Sequence, residues 1–182
     1  MNTTSEETGA IVGLYQLFAH LLSEEVNPKL REVLIQPEVL AVLVKAEPAV
    51  EDYLLQDWGD SEYEAAAVDF CDTFILPDSA IAPRAVAWLG EEDFASAEGI
   101  HSVVEAFIEQ GSIKVPANFE QLPPDHASLL FFMAATLRQL DSKQVADFEQ
   151  ATLGSWIHPF GRALQANSNP LYRALGVLIE AA

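Results

Sequence analysis

Apolar residues recur every three or four positions along most of the chain, the spacing that lines one face of an α-helix. Ile11, Leu14, Tyr15, Phe18, Leu21 and Leu22 form the first such stripe, behind Thr4 and Glu7 at the spacing of a capping box. Asn27-Pro28 then supplies a cap followed by proline at the first helical position, and Leu30, Val33 and Leu34 carry the period onward. Pro37 and Pro48 restart the chain twice, predicting short helices through Val39, Leu40 and Leu43 and through Val50, Tyr53 and Leu54. After Gly59-Asp60, Ser61 and Glu64 suggest another capping box, and Tyr63, Ala67, Phe70 and Phe74 share a face expected to point inward. The period lapses between Leu76 and Asp93, where Pro77, Pro83 and Gly90 interrupt it, so an irregular connection rich in apolar groups is expected there. Helical spacing returns at Ile100, Val103, Val104, Phe107 and Ile108 and stops at Gly111, and a second loop spans Ser112 to Pro124. Asp125 is placed to cap the next helix, an apolar run reaching about Leu140; further helices fit Val145 to Leu153, Trp156 to Leu164 and Pro170 to Ile179.

Strand-like alternation is nowhere sustained, and neither an internal repeat nor a long linker is present. The expectation is an all-α fold, a single-domain helical bundle over residues 1–182 that buries Phe18, Phe70, Phe107, Leu130, Met133 and Leu137. A chain of 182 residues, half of them apolar, is long enough for one sizeable core.

Charge narrows the partners. Nine Lys and Arg stand against 28 Asp and Glu, a formal net charge of −19, and such a surface repels the phosphates of DNA or RNA. The same field speeds the approach of a basic peptide. The single cysteine, Cys71, excludes an internal disulfide, and MNTTSEET lacks the basic-then-apolar order of a secretory signal, so a cytoplasmic location is expected. The longest apolar stretch, Ala127 to Leu137, is about half of what a bilayer needs, and no membrane insertion is expected.

Catalytic signatures are sparse. Glu98 and His101 stand at the Glu-x-x-His spacing of carboxylate-bridged metal sites, but such sites need a second copy, which His20, His126 and His158 do not supply. No metal and no cofactor are expected. Cys71, between Phe70 and Asp72 on a helix face, reads as a small apolar group. Neither a phosphate-cradling glycine loop nor a Gly-x-Ser-x-Gly elbow occurs. Asp125-His126 stands out because it directly precedes the run SLLFFMAATL; a helix cap is its plainest role.

The segment LPPDHASLLFFMAATL, Leu122 to Leu137, resembles the Pro-x-Asp-His segment of the TorD/DmsD family of redox-enzyme maturation chaperones. DTFILPDSAIAPRAVAWLGEE, Asp72 to Glu92, resembles the family's Leu-Phe loop with its proline and aromatic-Leu pair. TLGSWIHPFGRAL and NPLYRALGVL resemble its closing blocks, and GLYQLFAHLL fits near the start, with the DmsD-like branch nearest in wording. The resemblance implies an all-α cytoplasmic chaperone, not an enzyme, that binds the twin-arginine leader peptide of a molybdenum-cofactor oxidoreductase. Such a chaperone withholds the apo catalytic subunit from export until its cofactor is loaded. By position it implies Phe74, Pro83, Trp88, Asp125 and His126 as peptide-binding residues. Three positions depart from the expected wording: Thr73 for the family's leucine, Arg84 for the aromatic of DmsD-like members, and Thr152 for the family's histidine. Two other readings stand beside this one, a leader-independent assembly factor for a folded subunit and an enzyme using Asp125 and His126 as an acid/base pair. A monomer and a domain-swapped dimer are both compatible with the pattern.

Overall fold

The computed structural model describes residues 3–76, 81–89, 94–111 and 113–182. Pro77, Gly90, Asp93 and Ser112, and the side chains of Thr4 and Glu7, lie outside the described residues. The described chain is α-helical, with one isolated bridge between Arg84 and His126 as its only β-type pairing. It forms two compact units, each assembled from two separate stretches: Met1–Ser23 with Pro83–Ile157, and Glu24–Ala82 with His158–Ala182.

The first unit is built around a helix that is apolar on nearly every side. Helices α1 (Thr3–Leu21), α6 (Phe94–Glu109), α7 (Ala127–Gln139) and α8 (Val145–Thr152) belong to it. In α7, Leu129, Leu130, Phe131, Met133, Ala134, Ala135 and Leu137 are all buried, as befits a central core helix. Each large side chain fully buried there contributes about 1.5–3 kcal/mol. The ring of Phe131 meets Tyr15 and Phe18 of α1 at 5.2 and 5.1 Å, and the Ser128 hydroxyl donates to the Ala19 carbonyl, so α1 is held along α7 by apolar and polar ties together. Arg138 donates to both carboxylate oxygens of Glu149 at 2.6 Å and joins α7 to α8. Phe107 departs from expectation. It is half-buried, resting edge-on against Phe148 of α8 at 5.3 Å, because α6 is covered on too narrow a face to enclose it. Helix α6 gives way to Gly111 at φ 66°, a left-handed conformation that glycine adopts without strain.

The second unit contains α2 (Pro28–Leu34), α3 (Pro37–Ala46), α4 (Ala49–Leu55), α5 (Asp60–Phe70), α9 (Ile157–Leu164) and α10 (Pro170–Ala181). The prolines stand at or just before the helix starts, as predicted, and the Asn27 side chain accepts the Leu30 N–H at 2.9 Å. Asn27→Ala should therefore cost about 1 kcal/mol, read as a fall in urea midpoint without a change in slope. Leu34, Leu43, Val50 and Leu54 are fully buried, as are Leu171 and Leu175 of α10, which packs on α3 and α4. Asn169 caps α10 through the Leu171 N–H and donates to Tyr53 Oη and Asp69 Oδ2.

Two local details differ from the sequence pattern. At the start of α5 it is Glu62, not Glu64, that accepts the Gly59 N–H at 2.8 Å, because the helix begins at Asp60. Beyond Phe70 the helix widens into a π-turn, Cys71–Ile75, in which the Leu76 N–H reaches the Cys71 carbonyl at 3.0 Å. Ala66, Phe70, Thr73 and Phe74 form the buried face of this stretch, with Ala67 and Tyr63 only half-buried.

Candidate functional site

Four of the five residues singled out by the resemblance, Pro83, Trp88, Asp125 and His126, fall in the first unit. There the loop 83–89 runs against the start of α7. The Ala85 N–H donates to the Asp125 carbonyl at 3.0 Å and the Ala127 N–H to the Pro83 carbonyl at 2.9 Å, forming the Arg84–His126 bridge. Buried Pro83 fixes its own φ where this pairing starts. A short 3₁₀ turn, Ala85–Ala87, follows, and the Trp88 N–H closes it on the Ala85 carbonyl at 2.9 Å. Val86 is 38 % exposed and Trp88 and Leu89 are half-buried, so the outer edge of the loop is apolar and reachable.

Asp125 does not cap α7, as the sequence suggested. Its fully buried carboxylate turns to the loop instead. Oδ1 accepts from Arg84 Nε at 3.0 Å and Nη2 at 2.6 Å, and Oδ2 accepts the Val86 N–H at 3.1 Å. His101 Nε2 of α6 stands 3.5 Å from the same Oδ1. Burial pushes the Asp125 pKa up, but the Arg84 and Val86 hydrogen bonds and the Arg84 charge outweigh it and hold the carboxyl below its ordinary value.

The cap of α7 is the next residue, His126, whose Nδ1 accepts the Ser128 N–H at 3.2 Å. That acceptance assigns the ring proton to Nε2 in the neutral form. Burial, with 8 % of the residue exposed, lowers its pKa to about 4; the Asp125 charge opposes this and the Arg84 charge assists it. Asp125 and His126 thus face different partners, and among the described residues no hydrogen bond joins their side chains.

Phe74 belongs to the second unit and is 6 % exposed, with its ring edge-on to Phe70 at 5.3 Å and Tyr172 at 5.0 Å. It is a core side chain there. The Asn167 amide donates to the neighbouring Thr73 hydroxyl at 3.1 Å, a bond that leucine at this position would lack. Thr152 is likewise buried and returns its hydroxyl to the Phe148 carbonyl. Arg84 is the site residue that spacing did not reveal. Its signal was present as an isolated cation in an apolar loop, at a position where the DmsD-like wording has an aromatic.

Glu98 is exposed, and among the described residues no group of three or more His, Cys, Asp or Glu side chains is placed to hold a metal ion. No described helix is long and apolar enough to cross a membrane. Compared with known families, residues 36–162 match the family model described as nitrate reductase delta subunit. That span contains α3 to α8, the loop 83–89 and the Asp125-His126 pair. No curated protein matches the chain.

Proposed function

The chain belongs to the nitrate reductase delta subunit family, whose members are maturation chaperones of molybdoenzymes and not catalysts, and on that premise we propose that it binds a twin-arginine leader peptide. In this reading it works in the cytoplasm, holding the apo catalytic subunit of a molybdenum-cofactor oxidoreductase back from export until the cofactor is in place. The observation that carries the proposal is the loop 83–89. It is fixed at Pro83, Arg84 and Val86 to the start of a core helix and offers Val86, Trp88 and Leu89 at its outer edge. A leader joins an arginine pair to an apolar segment. The −19 charge draws the arginines, and the loop takes the apolar part.

Binding of a synthetic leader, followed by surface-immobilised kinetics with a parallel thermal melt, tests this. Trp88→Ala should raise the off-rate about tenfold for each 1.4 kcal/mol by which it weakens apolar capture, with the melting temperature held. Raising salt should slow association much more than it speeds release. Equal affinity for the apo subunit with and without its leader would establish the leader-independent assembly factor instead. Phe74→Ala is a poor probe, because the side chain sits in the core of the second unit and its loss acts through the fold. The DmsD-like wording and the nitrate reductase description name different clients, and a panel of leaders from both kinds of molybdoenzyme decides between them.

A further inference from the structure

We propose that Arg84 is the positioning residue of the docking loop: by closing an ion pair on buried Asp125 it sets where Val86 and Trp88 stand, and Asp125 serves the loop without touching the peptide. The functional half of this inference rests on the leader-binding reading; the positional half does not.

The geometry of Asp125 carries it. A carboxylate with no exposed surface has Arg84 Nε and Nη2 on one oxygen and the Val86 N–H on the other, with His101 Nε2 closing on the first. An arginine arriving on a peptide finds no free oxygen there unless it displaces Arg84. The hydrogen bonds from Arg84 are charge-assisted, about twice as strong as neutral ones. Two further links, Ala85 N–H to the Asp125 carbonyl and Ala127 N–H to the Pro83 carbonyl, are neutral backbone bonds. They hold residues 83 and 85, and the turn that follows is closed by the Ala87 N–H on the Arg84 carbonyl and the Trp88 N–H on the Ala85 carbonyl and packs on α6. The Asp125 side chain adds a charge-assisted tie to the start of α7, holding residue 84 through its guanidinium and residue 86 through its N–H, two positions upstream of Trp88. Arg84 is 39 % exposed, so its own charge is hydrated when unpaired, but the Asp125 carboxylate is fully buried and loses its charged partner when Arg84 is removed. The loop is where that loss is felt first, because the groups bonded to the carboxylate, Arg84 and the Val86 N–H, both belong to it. If the backbone bridge alone placed the loop, Arg84 would be dispensable to Trp88.

The experiment uses the full chain labelled with 5-fluorotryptophan, whose resonances from Trp58, Trp88 and Trp156 are assigned with Trp58→Phe and Trp88→Phe, alongside amide hydrogen exchange of residues 83–89. Arg84→Gln should shift the Trp88 resonance and speed exchange in 83–89 about tenfold more than in α7, with the Trp58 resonance unchanged. Arg84→Lys keeps the charge but replaces a fork by one ammonium, and should loosen the loop only about threefold. An unmoved Trp88 resonance and unchanged exchange in both variants would overturn the proposal, as would equal loosening by Lys and Gln, which would make the charge irrelevant. Should Arg84→Gln not fold, Arg84→Lys decides alone, unchanged exchange in 83–89 being the overturning result. Leader kinetics are read separately. A wild-type protein that ignores leaders sinks the functional reading while the exchange data still decide the latch. A loosened loop that releases the leader no faster overturns the link between them.

Discussion

Between pH 6.5 and pH 4 the protein should lose about 3 kcal/mol of stability through His126 alone. The unfolded chain takes up a proton on this imidazole near pH 6.5, whereas the folded chain resists it to about pH 4, because the ring is buried and its Nδ1 is occupied by the Ser128 N–H. Protons therefore favour the unfolded state through that window. The contribution is whole above pH 6.5 and gone below about pH 4, where both states carry the proton. Asp125, with its pKa held down, adds a second loss that begins only in the carboxylate range, at lower pH. Urea unfolding across this range, compared between wild type and His126→Asn, isolates the first effect. Asparagine caps a helix as well as any residue and does not titrate, so the variant should show a much flatter dependence between pH 6.5 and 4. Parallel curves would show that His126 accepts a proton in the folded state as freely as in the unfolded one.

Gly176→Ala should destabilise the second unit by about 2–3 kcal/mol. Helices α9 and α10 cross there, and a Cβ on residue 176 would stand 2.5 Å from the Gly161 carbonyl oxygen, 2.8 Å from Leu164 Cβ and 2.9 Å from the Gln165 nitrogen. None of these atoms is the flexible end of a side chain, so relief requires moving one helix against the other. Alanine's better helix propensity returns up to about 1 kcal/mol, which the clash exceeds. Gly13→Ala is the internal control. Its Cβ would meet nothing within 4 Å on the exposed face of α1, so the same substitution should stabilise by about 0.5–1 kcal/mol. Thermal melts of the two variants should move in opposite directions.

The helices were readable wherever the chain announces them itself. Asn27-Pro28, Pro37 and Pro48 mark starts that depend on local backbone chemistry, and the uninterrupted apolar run after His126 leaves α7 no face to turn to water. Period also placed Phe74 inward, where it lies, although resemblance made it a binding residue. What could not be read was the use of Asp125. Residue type and position made it the cap of α7, but its partner Arg84 lies 41 residues away in a stretch without periodicity, and no local rule pairs them. Once the guanidinium claims the carboxylate, the cap passes to the following residue and the helix begins one position later. The half-buried Phe107 has the same origin: a stripe shows which face of α6 turns inward, not how far its neighbours extend over it.

The interleaved path of the chain has a consequence during synthesis. The first unit has all its parts once Ile157 has left the ribosome, but α2 to α5 of the second wait for α9 and α10. Residues 83–157 are made in between, which at typical rates takes on the order of ten seconds. For that interval α3, with Leu43, and α4, with Val50 and Leu54, lack the α10 that later packs on them. A protein that in this reading shelters unfinished enzymes passes through its own unsheltered stage, and conditions that slow translation past Ile157 should lengthen it.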